Sequence, residues 1–351
     1  MFRRVLIILV VLVIFALASY VAGSNYYYQQ LEPVDPEAVA DYRLIEIPSG
    51  ANAALIGELL YKEGLIRNQQ VFQLYVRRHG LGHLFIAGIY DLSPSFSLGQ
   101  IAAKLKNGEI YSETIWFTIP EGFTIKEIAQ RLDEKGLVES ASFLDFAREP
   151  SDQILESFPY LLEVSDSRIE FLLEGYLFPD TYEVYPESGI EEIVSLMLRR
   201  LDQIITAEDR QRITELNSSL HEILTIAAMV ERESRVDSER PLIAGVIYNR
   251  LEIDMLLQID ATIQYALGET KEFLTFKDLE IQSPYNTYLF GGLPPGPIAA
   301  PGAASIKSAL YPEASEYYYY NYKYDGSGEH YFSRTLQEHL ENVARAEANL
   351  P

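Results

Sequence analysis

The sequence predicts an α+β protein behind a single N-terminal transmembrane helix. Three observations indicate this class: an uncharged segment near the N-terminus, a strand–helix pattern that occurs more than once, and an apolar helix that ends in charged residues. Of the 351 residues, 48% are hydrophobic. The chain is therefore long and apolar enough to form two or three domains with substantial cores.

The uncharged segment at residues 5–23 is nineteen residues long, close to the ~20 that a helix needs to cross a bilayer. Arg3 and Arg4 precede it and predict a cytoplasmic N-terminus. A cleaved signal peptide is the alternative, because residues 16–18 have a small-x-small pattern. The segment is longer than the ~7–15 apolar residues usual in signal peptides, which favours an anchor.

We therefore expect a single-pass protein of the cytoplasmic (inner) membrane, with its C-terminal domain on the outer or periplasmic side. Residues 1–24 form the predicted anchor, and the acidic, proline-containing residues 25–42 form a linker. Residues 43–150 are predicted as one α+β module and residues 151–351 as a mixed α/β domain.

The composition limits the classes of partner. A formal net charge of −23 argues against nucleic acid, whose binding requires a basic surface. A neutral polymer such as a glycan fits better, and the 25 tyrosines supply many aromatic faces. The sequence contains no cysteine, which excludes disulfides, thiolate zinc sites and cysteine nucleophiles.

A short pattern recurs along the predicted module. Ile-Pro-Ser-Gly at 47–50 returns as Ile-Pro-Glu-Gly at 119–122, 72 positions later, and a partial third copy occupies 88–109. A glycine closes each full copy, at Gly64 and at Gly136. Each copy predicts a strand, a turn, an amphipathic helix and a glycine stop. Such units resemble LysM-like glycan-binding modules, although a small α+β domain with a repeated core pattern has the same sequence features.

Two consecutive helices are predicted at residues 219–251. Ser219 and Glu222 have the spacing of a capping box, and the helix that follows is apolar on nearly every side, as a buried helix is. Asp237 or Ser238 is placed to cap the second helix. The first helix ends in acidic and basic residues, so it delivers a carboxylate into a helix–helix joint.

Glu231 and Glu233 compete for the chemical role at this joint. They lie ~200° apart around a helix of 3.6 residues per turn, so both can hardly face one cleft. We expect Glu231 to pair with Arg235, and Glu233 to emerge from apolar surroundings that raise its pKa. A carboxyl that stays protonated is what a general acid requires. Helical geometry alone leaves the choice open, and a solvated, salt-bridged helix end is the alternative.

The sequence predicts no metal site and no cofactor. His79 and His83 are four residues apart, but the glycines between them weaken a helix and no third ligand is evident. The sequence has neither a Gly-rich phosphate loop nor a G-x-S-x-G motif. Acidic residues are plentiful instead, which favours carboxylate chemistry.

Seven motifs follow one another along the chain: LEGYLFPDTY, AAMVERES, ERPLIAGVIYNRL, LQIDATIQYAL, SPYNTY, GLPPGPIAAPG and HYFSRTLQEH. Together they resemble the YceG-like (MltG-type) endolytic murein transglycosylases, over nearly the whole chain. The resemblance implies an anchor, a LysM-like α+β module and a catalytic domain with a lysozyme-like helical acid site. In that family the acid is the second glutamate of an E-x-E motif, which is Glu233 here.

The resemblance further implies a lyase that cleaves the MurNAc–GlcNAc β-1,4 bond of peptidoglycan and leaves 1,6-anhydro-MurNAc ends. Glu233 would protonate the leaving oxygen and then act as base for the 6-hydroxyl of the same sugar. The implied partners are peptidoglycan strands, the membrane and peptidoglycan synthases. Five residues are candidates for positioning the glycan, with loop bracing as their alternative role: Glu174, Gln258, Asp260, Tyr285 and Asn286.

Two other classes stay open. A muramidase-type hydrolase would use Asp260 or Glu174 as a second carboxylate, since hydrolysing glycosidases normally need two at a set separation. A non-catalytic, membrane-tethered scaffold would bind glycan strands and leave them uncut. Product mass separates the hydrolase from the transglycosylase, because anhydro ends are one water lighter.

Overall fold

The computed structural model describes residues 2–111, 113–271 and 273–350. Contacts within the chain divide it into two compact units, Met1–Glu113 and Thr114–Pro351. Both units combine helices with short antiparallel strand pairs. The predicted α+β class is therefore confirmed.

The first unit contains one long helix and two strand–helix segments. Its elements are α1 (Phe2–Leu31), β1 (Arg43–Ile47), α2 (Ala53–Lys62), α3 (Gln69–Arg78), β2 (Gly88–Leu92) and α4 (Leu98–Asn107). Strand β1 pairs antiparallel with β2, from Arg43 opposite Leu92 to Ile47 opposite Gly88. The side chains that form its core include Ile56, Leu60, Phe72, Tyr90 and Ile101.

Helix α1 is long and apolar enough over Leu9–Leu31 to cross a membrane. Its large apolar side chains are exposed, Phe15 by 72%, which fits a helix surrounded by lipid. The helix ends at Leu31 and not at residue 24, so the first part of the predicted linker is helical. The chain has no proline before Pro33 to interrupt the helix. Beyond α1, Arg67 donates hydrogen bonds to the carbonyl of Pro33.

The second unit is mostly helical. Its elements are β3 (Ile115–Thr118), α5 (Ile125–Glu134), α6 (Ser140–Arg148), α7 (Asp152–Ser157), β4 (Thr181–Val184), α8 (Ile190–Ile204), α9 (Ala207–Glu215), α10 (Leu220–Glu233), α11 (Arg240–Glu252), α12 (Asp260–Leu267), α13 (Ala303–Leu310), β5 (Tyr319–Tyr322), β6 (His330–Ser333) and α14 (Leu336–Glu347). Short 3₁₀ turns lie at Pro159–Glu163, Asp237–Glu239 and Asp278–Glu280.

The repeat in the sequence corresponds to repeated local structure. Gly50 and Gly122 have positive φ, +74° and +77°, at the turn between strand and helix. Leu60 and Leu132 occupy equivalent positions of α2 and α5, and both are fully buried. The two full copies therefore share one strand–turn–helix form.

The second copy belongs to the second unit and not to the predicted 43–150 module. Strand β3 pairs with β4, with Ile115 opposite Val184 and Thr118 opposite Thr181. Phe117 is consequently buried in the core of the second unit. The structure thus places the division at residues 113 and 114, because a strand partner far along the chain decides where the second copy packs.

Helix α10 is the buried centre of the second unit. The predicted capping box is present: the Glu222 N–H donates to Ser219 Oγ at 3.2 Å, and the Ser219 N–H donates to Glu222 Oε2 at 2.8 Å. All residues from Ile223 to Val230 are buried, and α10 packs against α11, α12 and α13. The prediction that Asp237 or Ser238 caps α11 is wrong. These residues form a 3₁₀ turn that runs directly into α11.

The last part of the second unit contains a loop rich in proline and glycine, followed by a β-hairpin. Residues 291–302 form an irregular loop, as their proline and glycine content predicts. Strands β5 and β6 form a hairpin, with Tyr319 opposite Ser333 and Tyr322 opposite His330. This hairpin carries Tyr320, whose hydroxyl reaches the end of α10.

A substitution at Gly175 tests how tightly the loop at 291–302 packs against this glycine. It has a φ of +78°, and an added Cβ would lie 2.3 Å from the Cβ of Pro297. We expect Gly175→Ala to lower the free energy of unfolding by about 1–2 kcal/mol, because alanine is strained at positive φ. Overpacking against Pro297 should lower it by a further ~1–3 kcal/mol. Urea unfolding of the full chain in detergent measures the loss.

Gly268→Ala is the matched control, because Gly268 has a φ of +71° with nothing within 4 Å of an added Cβ. It should lose only the ~1–2 kcal/mol for the backbone conformation. Equal losses in the two variants would contradict close packing of Gly175 against Pro297.

Candidate active site

Glu233 is the last residue of α10, where the buried helix reaches its C-terminal end. The residue is half-buried. Ser234 follows with extended backbone, and its hydroxyl donates to the Val236 carbonyl at 2.8 Å. The Glu233 carboxyl therefore lies at the negative end of a helix dipole, which disfavours its ionisation.

Two donors from other elements bind the Glu233 carboxyl. The Tyr320 hydroxyl of β5 donates to Oε2 at 3.1 Å, and the backbone N–H of Ala261 in α12 donates as well. Burial raises the pKa of Glu233 to about 7, and the charge of Asp260 adds to this rise. The two hydrogen bonds and the charge of Arg232 oppose it. A carboxyl that exchanges its proton near neutral pH is suited to general acid–base chemistry.

Asp260 is a second carboxylate near Glu233. It is the exposed first residue of α12, and it accepts a 2.5 Å hydrogen bond from the Tyr288 hydroxyl. Gln258 lies two residues earlier, is exposed and has a φ of +48°, which is uncommon for a residue other than glycine. Its N–H donates to the Thr287 carbonyl at 3.1 Å. Asp260 and Gln258 are thus held at the start of α12 with their side chains open to solvent.

Arg250 of α11 holds the strand that carries Tyr320. Its buried guanidinium donates to the carbonyls of Tyr318 at 2.6 Å and of Leu257 at 2.5 Å. Burial lowers the pKa of Arg250, while neighbouring tyrosines, Tyr320 first, and Glu233 oppose that change. Arg250 therefore joins β5 to the segment that leads into α12.

Glu231 is held differently from the prediction. Its side chain is only 7% exposed, and its Oε1 accepts a hydrogen bond from Arg240 Nη1 at 3.0 Å. Its Oε2 accepts the Gly302 N–H at 2.9 Å. The predicted pair with Arg235 is wrong, because the Arg235 guanidinium lies 4.7 Å from the centre of the Tyr322 ring. Both oxygens of Glu231 are thus engaged in joining α10 to α11 and α13.

Glu174 and Tyr285 line a cavity of about 520 Å³ in the second unit. Glu174 is only 2% exposed and accepts the Ile125 N–H at 3.0 and 3.2 Å and the Tyr265 hydroxyl at 3.2 Å. Burial raises its pKa to about 8, against the effect of these hydrogen bonds. The Tyr285 ring lies 4.8 Å from that of Tyr265. Ala261 also lines this cavity, so α12 borders both the cavity and Glu233.

Asn286 is fully buried. Its Nδ2 donates to the carbonyls of Leu279 and Ile281, each at 2.9 Å, and its Oδ1 accepts the Tyr288 N–H at 2.9 Å. These bonds brace the loop that carries Tyr288. Loop bracing is the role that the sequence analysis gave as the alternative to glycan positioning. The structure therefore brings Asp260 towards Glu233, holds Gln258 against Thr287 and leaves Asn286 in the loop interior.

Sequence reasoning missed three residues of this site: Arg250, Tyr288 and Tyr320. Tyr320 could not be distinguished by pattern, because it is one of 25 tyrosines and lies in a tyrosine-rich strand. Arg250 and Tyr288 occur within quoted motifs, but only the folded chain shows what they contact. Among the described residues, no group of three or more His, Asp or Glu side chains is placed to hold a metal ion.

The geometry defines a candidate acid–base site, with one proton-exchanging carboxyl at the end of a buried helix in an α+β unit. The YceG-like family model matches residues 45–345 of the sequence. The chain therefore belongs to the YceG-like family.

Known relatives and a solved structure resemble most of the chain. The endolytic murein transglycosylase of Bacillus subtilis (strain 168) is 34% identical over 326 residues, which are 91% of this chain and 89% of that protein. The endolytic murein transglycosylase of Streptococcus pneumoniae serotype 2 (strain D39) is 34% identical over 343 residues, 92% of this chain but 61% of that protein. A crystal structure of a YceG-like protein from Listeria monocytogenes has a TM-score of 0.61 at 36% identity, and the match covers 86% of this chain and 99% of that one.

Substitutions of the two glutamates of the E-x-E motif, Glu231 and Glu233, should differ in their effect on the free energy of unfolding. Glu231→Gln removes the buried anion that pairs with Arg240, which then keeps the exposed Asp237 as its ion-pair partner. Breaking one side of a buried ion pair costs about 3–5 kcal/mol, so we expect a clear loss in the free energy of unfolding. Denaturant unfolding at pH 8 measures it.

Glu233→Gln is the comparison variant, and it should be at least as stable as the parent at pH 8. The pKa of Glu233 is about 7 in the folded chain and ~4.3 in an unfolded one. Between these values the folded state binds more protons, so the parent loses stability as pH rises through this window. The advantage of Glu233→Gln should therefore grow from pH 4 to pH 7. A Glu233→Gln variant that is less stable than Glu231→Gln would contradict this assignment.

Proposed function

We propose that the protein is a membrane-anchored endolytic transglycosylase of peptidoglycan. It cleaves the MurNAc–GlcNAc β-1,4 bond without water and leaves 1,6-anhydro-MurNAc ends. The observation that carries this proposal is the Glu233 carboxyl at the end of the buried helix α10, bound by the Tyr320 hydroxyl, whose pKa of about 7 suits both donation and acceptance of a proton. The names of the B. subtilis and S. pneumoniae relatives support the same activity.

The proposed reaction has two proton transfers at Glu233. The protonated carboxyl first donates to the glycosidic oxygen as the bond from C1 of MurNAc breaks, and the GlcNAc end leaves with that proton. The resulting carboxylate then removes the proton of the MurNAc 6-hydroxyl, whose oxygen forms the bond to C1. The ring closes, Glu233 is protonated again, and no water is consumed.

We assign the glycan-positioning roles from the exposure of each candidate side chain. Asp260, near Glu233, and Gln258, two residues earlier, are open to solvent, and we assign them to glycan hydroxyl and amide groups. Glu174 and Tyr285 line the cavity and are assigned to a more distant sugar. Asn286 acts indirectly, through the loop that it braces.

Two alternatives predict different products. In a muramidase-type hydrolase, Asp260 is the second carboxylate, and its proximity to Glu233 supports this option. In a non-catalytic scaffold, glycan strands are bound and stay uncut. Mass spectrometry of digested peptidoglycan distinguishes the three classes, since anhydro ends, reducing ends and intact strands differ in mass.

Glu233→Gln keeps the shape of the side chain and removes its titratable proton. General acid–base catalysis is worth about 10²–10⁴-fold, so cleavage should fall by at least this much while the chain stays folded. The rate of release of anhydro-ended fragments measures the change. Glu231→Gln is the control and should retain much more activity at a temperature where it is folded. Anhydro ends released by Glu233→Gln at the parent rate would overturn the assignment.

The apolar helix α1 fits a single-pass anchor, and we propose that the rest of the chain lies outside the cytoplasm. Arg3 and Arg4 on the cytoplasmic side give this orientation. It places both units beside peptidoglycan and beside the synthases that extend it. We propose that residues 43–150, which resemble LysM-like modules, contribute to holding glycan strands.

The proposed topology predicts that protease added outside spheroplasts digests the second unit. The full chain should also remain in the membrane fraction after a high-salt wash. A protected second unit would contradict the orientation. A soluble protein that begins near Ser19 would contradict the anchor.

A further inference from the structure

The Glu233 carboxyl is surrounded by groups from four elements besides its own helix. Arg232 is its neighbour on α10, and Asp260 lies at the start of α12. Tyr288 comes from the loop after α12, Tyr320 from β5 and Arg250 from α11. Within residues 2–111, 113–271 and 273–350, these five groups are the titratable or charged neighbours that act on Glu233.

We propose that Tyr320 and Asp260 are opposing positioning residues that together decide when Glu233 carries its proton. Tyr320 binds the carboxyl directly and favours its ionised form, while Asp260 supplies a fixed negative charge that favours the protonated form. The proposal rests on the proposed role of Glu233 as acid and then base. It goes beyond that role by naming what sets the balance between the two states.

The position of Tyr320 is built into the hairpin. At the far end of the β5–β6 pair, the buried His330 donates its backbone N–H to both carboxylate oxygens of Glu239, at 3.0 and 3.1 Å. The His330 ring contacts the same carboxylate at 2.8 Å and lies edge-on to Tyr320, with 5.6 Å between ring centres. The Tyr320 hydroxyl is consequently held against Glu233 Oε2. A hydrogen bond donated to a carboxylate stabilises the ionised form.

The position of Asp260 is fixed by a hydrogen bond from the loop after α12. The Tyr288 hydroxyl donates to Asp260 Oδ1 at 2.5 Å, and Tyr288 lies on the loop that Asn286 braces. The charge of Asp260 acts on Glu233 as a like charge. The next residue, Ala261, donates its N–H to Glu233, so adjacent residues of α12 place both the like charge and this donor at Glu233.

The two influences explain why one carboxyl can serve both proton transfers. Without Asp260, the hydrogen bonds from Tyr320 and Ala261 would favour the carboxylate, which cannot start the reaction as an acid. Without Tyr320, burial and the charge of Asp260 would favour the protonated form, which cannot finish the reaction as a base. Opposed contacts hold Glu233 between these limits.

The test compares Tyr320→Phe and Asp260→Asn in the full-length chain in detergent micelles. Glutamate labelled with ¹³C at the carboxyl carbon gives the titration of Glu233 by NMR, with Glu233→Gln used to assign its signal. We expect the pKa of Glu233 to rise by about one pH unit in Tyr320→Phe and to fall by about one unit in Asp260→Asn. The pH optimum of cleavage should move in the same directions.

Tyr322→Phe is the matched control, because this tyrosine lies on the same strand and its hydroxyl accepts a hydrogen bond from Arg235 at 3.2 Å. It should leave the titration of Glu233 unchanged. Shifts of the same sign in the two test variants, or no shift, would overturn the proposal. So would a loss of cleavage with an unshifted titration, which would mark both residues as glycan contacts only.

The titration needs no substrate, so it separates this proposal from the proposed function. Opposite shifts together with products that lack anhydro ends would support the balance at Glu233 and overturn the transglycosylase. Anhydro ends together with unshifted titrations would support the transglycosylase and overturn the balance at Glu233.

Discussion

The buried contact of Glu231 with Arg240 and with the backbone of Gly302 is the constraint on which the candidate site depends. It joins the end of α10, the start of α11 and the start of α13 at one place. Arg240 also reaches Ser305 of α13. Removing one partner of such an ion pair strongly destabilises the folded protein, because the other charge stays buried. The end of α10, and with it Glu233, therefore has one position relative to α11 and α13.

Two glutamates separated by one residue thus have opposite environments. Glu231 is paired with an arginine and a backbone N–H, which stabilise its charge. Glu233 has a tyrosine, a backbone N–H and another carboxylate around it, and burial raises its pKa. The helical angle between them makes this division possible, since each side chain leaves α10 in its own direction.

Local features of the fold were predictable, and long-range pairing was not. The capping box at Ser219, the turn glycines of the repeat and the hairpin after the proline-rich loop all depend on residues close in sequence. The placement of the second repeat copy depends on β4, and the partner of Glu231 lies on the next helix, at Arg240. Tyr320 reaches Glu233 from 87 positions away. Nothing in a local pattern distinguishes that tyrosine from its neighbours.

The length of α1 sets how far the first unit can stand from the membrane. A helix of 30 residues is about 45 Å long at 1.5 Å per residue, and the hydrocarbon core of a bilayer takes about 30 Å of it. Only about 15 Å of stiff helix is left outside, and the segment after it is attached through Arg67 to the unit itself. In the proposed topology the first unit is therefore confined to a layer next to the lipid surface, and the glycan strands within its reach would be those nearest the membrane.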